Sequence, residues 1–119
     1  MRIGAAAAHT GLSCKAIRLY EQQGLIRPGR RGSYRHFSAA DLDLLALIRE
    51  ARSLDVPLQR LRTAIQDAGQ PDWAGLRALL VQLQQETEQE IVRQQQRLLR
   101  LAECLQEIDS CPLMLDSAP

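Results

Sequence analysis

Lys15, Arg18 and Tyr20 stand within six residues of one another, bracketed by Gly11 and Ser13 on one side and Gly24 on the other. A turn glycine, a good helix-capping serine and a stopping glycine enclose a short helix. Cationic and aromatic side chains near the start of a helix that succeeds a tight turn suit a recognition helix in a groove of double-stranded DNA. Lys15 and Arg18 are candidate base-edge or groove contacts, because arginine's paired donors match guanine. Tyr20 carries a hydroxyl suited to a phosphate, and its alternative is packing in the helix-turn-helix core. Ser13 can cap the helix, contact a phosphate, or do both. A second cationic group stands in Arg27-Pro-Gly-Arg-Arg-Gly-Ser-Tyr-Arg-His-Phe37. There Arg30, Arg31, Tyr34 and Arg35 would grip the DNA backbone, contacts that position a protein without reading sequence. Taken alone, Arg30 and Arg31 also suit solvated surface arginines.

These side chains need elements to hold them. Ile3 to His9 reads as a first helix ending at Gly11, and Ser13 to Gln22 as a second. Together they make a helix-turn-helix of ordinary size. The Gly- and Arg-rich stretch to Phe37 reads as a small wing, two brief strands or an irregular hairpin. Ser38 and Asp41 form a capping-box-like start to a third helix, with Leu42, Leu45, Ile48 and Ala51 on its apolar face. Asp55-Val-Pro57 breaks that helix. Leu58, Leu61 and Ile65 define a fourth. Gly69-Gln-Pro71 reads as a turn, and Asp72 can cap a fifth helix.

From Trp73 to Ile108 there is one long helical pattern. Leu80, Leu83, Thr87, Ile91, Gln94, Leu98, Leu101, Leu105 and Ile108 recur in steps of three and four. Their mean spacing of about 3.5 residues is the coiled-coil period. Such a helix would be roughly 50 Å long. A domain of about 65 residues cannot cover that stripe, so a second copy of the chain is the expected partner. Polar Gln94 and Thr87 in the stripe suit positions that specify register. Packing within one chain is the alternative.

Charge divides the same way. Residues 1–65 hold eleven Lys/Arg and five acids, net +6, whereas residues 66–119 hold four Arg and nine acids, net −5. A basic half joined to an acidic half suggests one polyanion-binding module and one with another task. The expected architecture is mainly α: a winged helix-turn-helix DNA-binding domain over 1–70, a dimerisation helix over 72–109, and a tail or effector loop over 110–119. With only two histidines, no Gly-rich phosphate loop and no triad-like set, an enzyme is not expected. No apolar run approaches 18 residues, so no membrane partner is expected. The start of the chain does not read as a signal peptide. Three cysteines (Cys14, Cys104, Cys111) without framework spacing suit reduced thiols and a cytoplasmic protein. A rival class remains, a coiled-coil interaction protein whose basic half binds RNA or a protein.

The order of these blocks resembles the MerR family of bacterial transcription regulators. The resemblance runs from Ile3 to about Ile65. It rests on Gly-Leu-Ser-x-Lys-Ala-Ile-Arg-Leu-Tyr-Glu-x-x-Gly-Leu-Ile, on Tyr34-Arg35, and on Asp-Leu-x-x-Leu-x-x-Ile-x-x-Ala-Arg. It implies a winged helix-turn-helix, an antiparallel coiled-coil homodimer and an inverted-repeat operator in promoter DNA. It also implies a DNA distortion that lets RNA polymerase use badly spaced promoter elements. Three positions depart from the pattern. Ser33 stands where many relatives have glycine. Asp55 replaces a frequent glycine but tolerates the left-handed conformation, and Pro57 replaces a polar cap.

Small members of that family are often metal sensors with a cysteine pair just beyond the dimer helix. Cys104, Cys111 and the Cys111-Pro112-Leu-Met run resemble that arrangement. Two thiolates suit a thiophilic ion such as Cu(I), and Met114 adds a thioether. On one straight helix, however, the two cysteines would be about 10.5 Å apart along the axis. Chelation requires the helix to end near Cys104 and the chain to fold back. The Asp72–Leu76 segment lacks the extra cysteine or serine that several relatives use. Metal sensing, a thiol redox switch and regulation without a small effector all stay open. Cys14, inside the recognition helix, reads as a small packing residue.

Overall fold

The structure is a computed structural model, and it describes residues 1–65 and 72–111. Its elements in order are α1 (Ile3–Thr10), α2 (Cys14–Gln22), β1 (Gly29–Arg31), β2 (Tyr34–His36), α3 (Ala39–Ser53), α4 (Leu58–Ile65) and α5 (Trp73–Ser110). The turn expected at Gly69-Gln-Pro71 lies outside the described residues. Two compact units result. One runs from Met1 to Leu80 and the other begins at Val81.

The first unit owes its helix ends to residues legible in the sequence. Gly11 closes α1 in the left-handed conformation (φ 76°), and its N–H donates to Ala7 O at 2.9 Å. Gly24 (φ 77°) ends α2. Its N–H donates to Glu21 O, and the Leu25 N–H reaches back to Tyr20 O, the paired bonds of a Schellman motif. Ser38 and Asp41 complete a reciprocal capping box at the start of α3. The same helix ends on Asp55 (φ 63°), with Asp55 N–H donating to Arg52 O and Val56 N–H to Ala51 O. Asp55 therefore occupies the left-handed position expected of it.

The core of this unit gathers Ala6, Ile17, Tyr20, Leu25, Ile26, Phe37, Leu44, Leu45, Ile48, Ala51, Val56, Leu61 and Ile65. Leu45, Ile48 and Ala51 are buried on the inward face of α3 as expected, and one position differs. Leu44 is buried and Leu42 only half-buried. Both the 42/45 and the 44/48 spacings fit a helical stripe, and tertiary packing selects between them.

Leu76 and Leu79 of α5 also belong to this core. Gly75 lets the start of α5 approach α4: a Cβ there would clash with the Ala64 carbonyl oxygen and the Asp72 carboxylate. Asp72 caps the helix, accepting the Gly75 N–H at 2.9 Å.

In the second unit, α5 continues through Ser110 with no break. Ile91, Leu98 and Leu105 recur every seven residues and are 52%, 68% and 61% exposed. Leu101 and Ile108 complete the stripe and are also exposed. Among the described residues, no helix is long and apolar enough to cross a membrane.

Candidate nucleic-acid interface

The recognition helix is built from its cap outward. Ser13 Oγ accepts the Ala16 N–H at 3.0 Å, which satisfies one of the orphan donors of the first turn. Ile17 and Tyr20 point inward and anchor α2 to the core. Tyr20 is only 7% exposed, so its ring packs in the core, while its hydroxyl makes no hydrogen bond among the described residues. The opposite face presents Lys15, Arg18, Leu19 and Gln22, all exposed, at the i, i+3, i+4, i+7 spacing of one helical surface. Lys15 and Arg18 make no ion pair or hydrogen bond among the described residues, so their charges are not spent within the fold. Nothing in the sequence pattern singles out Leu19. It is 41% exposed beside Arg18, and an apolar side chain on such a face suits a thymine methyl group.

The wing is an antiparallel hairpin. Gly29 pairs with His36, Arg30 with Arg35, and Arg31 with Tyr34. Gly32 (φ 61°) and Ser33 form its two-residue loop. A positive φ at the first loop residue alone matches the tight type II′ connection, which suits the strand twist and tolerates serine second. Tyr34 is 53% exposed, with the Arg2 guanidinium 3.8 Å from its ring centroid, a cation–π contact. Arg31 is exposed and makes no ion pair or hydrogen bond among the described residues. Arg30 and Arg35 are both tied to Glu21 at the end of α2: Arg30 Nη2 donates to Oε1 at 3.3 Å and Arg35 Nε donates to Oε2 at 2.5 Å. Sequence reasoning misses both Glu21 and Arg2, because pairing across separate elements leaves no periodic mark.

His36 has a neighbour that the sequence does not reveal. Its Nδ1 lies 3.1 Å from the N-terminal ammonium nitrogen. Desolvation, then the ammonium and Arg31, hold its pKa below the usual histidine value against the opposing pull of Asp41.

The cysteines are dispersed. Cys14 is half-buried, with Sγ 4.0 Å from the Ile3 carbonyl oxygen. Cys104 lies exposed within α5. Cys111 stands just past the helix end, its N–H still donating to Ile108 O at 3.2 Å. Because α5 stays regular through Ser110, the two residues are separated by about 10.5 Å of helix rise. No group of three His, Cys, Asp or Glu among the described residues is placed to hold a metal. Met114, with the rest of the expected tail from 112 onward, lies outside the described residues.

A helix-turn-helix, a cationic hairpin beside it and a long terminal helix find their match among known proteins. The family model of MerR HTH regulatory proteins matches residues 1–68. The chain belongs to the MerR family. An HTH-type transcriptional regulator of Pseudomonas aeruginosa (PA4778) is 35% identical to it, covering 99% of this chain and 96% of the relative. Heavy metal-dependent transcription regulator 2 of Rhizobium meliloti is 41% identical over 64 residues, 52% of this chain and 44% of the relative. The crystal structure of a MerR family transcriptional regulator from Listeria monocytogenes superposes with a TM-score of 0.62 at 26% identity, covering 98% of this chain and 91% of that one. This MerR-family chain is a transcription regulator, and its relatives are not enzymes.

Proposed function

We propose that this MerR-family regulator works in the cytoplasm as a homodimer on an inverted-repeat operator in promoter DNA, and that it distorts the duplex for RNA polymerase. Residues 1–70 would bind DNA and 72–109 would pair two chains. Lys15 and Arg18 read the groove, Ser13 orients the helix start, and Arg30, Arg31, Tyr34 and Arg35 hold the flanking backbone. Tyr20 packs its ring beneath this surface and offers its hydroxyl to a phosphate. The observation that carries the reading is the exposed α2 face, whose Lys15 and Arg18 have no competing partner among the described residues.

The test is operator binding by the full chain. A duplex enriched from a randomised library should bind with a steep salt dependence. Arg18→Ala should weaken it by about 5- to 150-fold, the value of a lost arginine–base contact. Normal affinity in that variant would refute the assignment of Arg18. Equal affinity for random DNA, RNA and the enriched duplex would favour the interaction-protein alternative.

The name of the Rhizobium meliloti relative favours a second feature, response to a thiophilic ion such as Cu(I) at Cys104 and Cys111. That match covers only half of this chain, and α5 runs through Ser110, so a shared ion would need the chain to fold back near Cys104. Anaerobic Cu(I) titration against a competing chelator decides the matter. Tight binding near one ion per chain, lost in Cys104→Ser and in Cys111→Ser, would support a sensor pair. Binding no tighter than that of ordinary surface thiols would exclude one for copper.

A further inference from the structure

Glu21 is an acid on a surface that otherwise presents cations to a polyanion, and it sits where a helix least favours it. The last turn of α2 carries this carboxylate and no basic residue. A negative charge there opposes the helix dipole. It also lies beside two facing cations. Arg30 and Arg35 are direct register partners on the hairpin, and like charges opposite each other weaken a strand pair. Pairing offsets both, since the arginines neutralise the acid at the helix end and each of its oxygens takes one strand: Oε1 accepts from Arg30 and Oε2 from Arg35. The Arg35 and Glu21 side chains are only 28% and 22% exposed, so this contact is shielded more than an ordinary surface pair.

The donors that remain matter most. Arg35 is held through Nε, which leaves both terminal nitrogens of its guanidinium without a partner among the described residues. Arg30 is held through Nη2 and keeps Nη1 and Nε. Two arginines and one glutamate also leave the cluster with net positive charge. Glu21 therefore fixes the direction of both guanidiniums without exhausting their donors, and it ties the wing to the recognition helix. We propose that Glu21 is a positioning residue for DNA recognition: it sets the wing arginines in register with α2, so that backbone grip and groove reading engage the same stretch of duplex. This inference rests on the DNA-binding reading above.

Simple electrostatics makes the opposite prediction, since removing an acid from a DNA-binding face should raise affinity for every duplex. Binding of full-length wild type and Glu21→Gln is therefore compared on two probes, the duplex enriched by wild type and a random duplex of equal length. The expected result is an operator-to-random affinity ratio about 5- to 50-fold lower in Glu21→Gln, as charge-assisted contacts lose their alignment. Random-duplex affinity should stay equal or rise. An unchanged ratio, whether both affinities rise, fall or stay together, overturns the proposal. If Glu21→Gln does not fold by circular dichroism, Glu21→Asp is measured in the same way. It keeps the charge but is one methylene too short to hold both strands, and the same ratio decides. Failure of wild type to enrich any duplex refutes the DNA reading itself, whereas an enriched duplex with equal ratios refutes only the role of Glu21.

Discussion

In the homodimer proposed above, replacing Leu98 with alanine should separate the two chains without unfolding the first unit. Leu98 lies mid-way along the apolar stripe of α5 and is 68% exposed in the single chain. Full burial of a leucine side chain contributes about 1.5–3 kcal/mol, so covering what is now exposed would contribute about 1–2 kcal/mol. A two-fold pairing counts the position twice, and Leu98→Ala should cost about 2–4 kcal/mol of dimer stability. That corresponds to roughly a 30- to 800-fold rise in dimer Kd. Sedimentation equilibrium over a range of protein concentrations reads the change directly. The thermal transition of the first unit should persist, because its core residues end at Leu79. An unchanged dimer Kd would show that the stripe through Leu98 is not the pairing surface, and a monomeric wild type would remove the argument entirely.

Asp55→Gly should raise stability by about 0.5–1 kcal/mol, since Asp55 sits at φ 63° where only glycine is free of steric cost; a chemical-denaturation midpoint below that of wild type would contradict this. Gly75→Ala should lower stability by about 1–3 kcal/mol, because the added methyl meets the rigid Ala64 carbonyl as well as the Asp72 carboxylate that caps the helix. The same denaturation experiment checks it, and a neutral result would mean that α5 shifts freely against α4. For His36, the lowered pKa means that the unfolded chain binds the proton more readily than the folded one. Its stabilising contribution is complete above the unfolded value of about 6.5 and is lost as pH falls below it. His36→Asn should therefore flatten the decline in melting temperature as pH falls below about 6.5, and an identical decline in both proteins would rule His36 out.

The parts legible in the sequence are those governed by local chemistry. Gly11, Ser13, Gly24, Ser38 and Asp41 each satisfy or terminate backbone bonds within a few residues, so their roles can be read in place. The same holds for Asp55, whose left-handed backbone comes from the need to end α3 before Val56. Periodicity locates α5, but a repeating stripe specifies a helix without assigning its faces. In the sequence pattern the stripe starts at Leu80 and Leu83, yet the buried residues of the first turns are Leu76 and Leu79. On α3 one edge of the face differs for the same reason, with Leu44 buried and Leu42 only half-buried, while Leu45, Ile48 and Ala51 turn inward as expected. Which of two apolar rows turns inward depends on neighbours far away in the chain.

The candidate site divides along the same line. Lys15 and Arg18 can be found because helix phase alone separates them from Ile17 and Tyr20. Glu21 cannot, since in helix phase it is simply an acid in the last turn. Its role exists only once a hairpin with two opposed arginines has folded beside it. The cysteines show the limit from the other direction. A seven-residue spacing can suggest a chelating pair on a loop, but Leu105-Gln-Glu-Ile108 continues a helix as readily as it could form a turn, and no glycine intervenes. Backbone hydrogen bonding through Ser110 favours the helix, and the thiols are separated as a result. A single ion could recruit both thiols of one chain only if its binding exceeded the cost of unwinding the last turns of α5. Metal affinity and α5 helicity are therefore coupled. Loss of helical circular dichroism on Cu(I) binding would accompany a Cys104–Cys111 pair within one chain, whereas binding with helicity intact would mean that those two thiols of one chain do not share the ion.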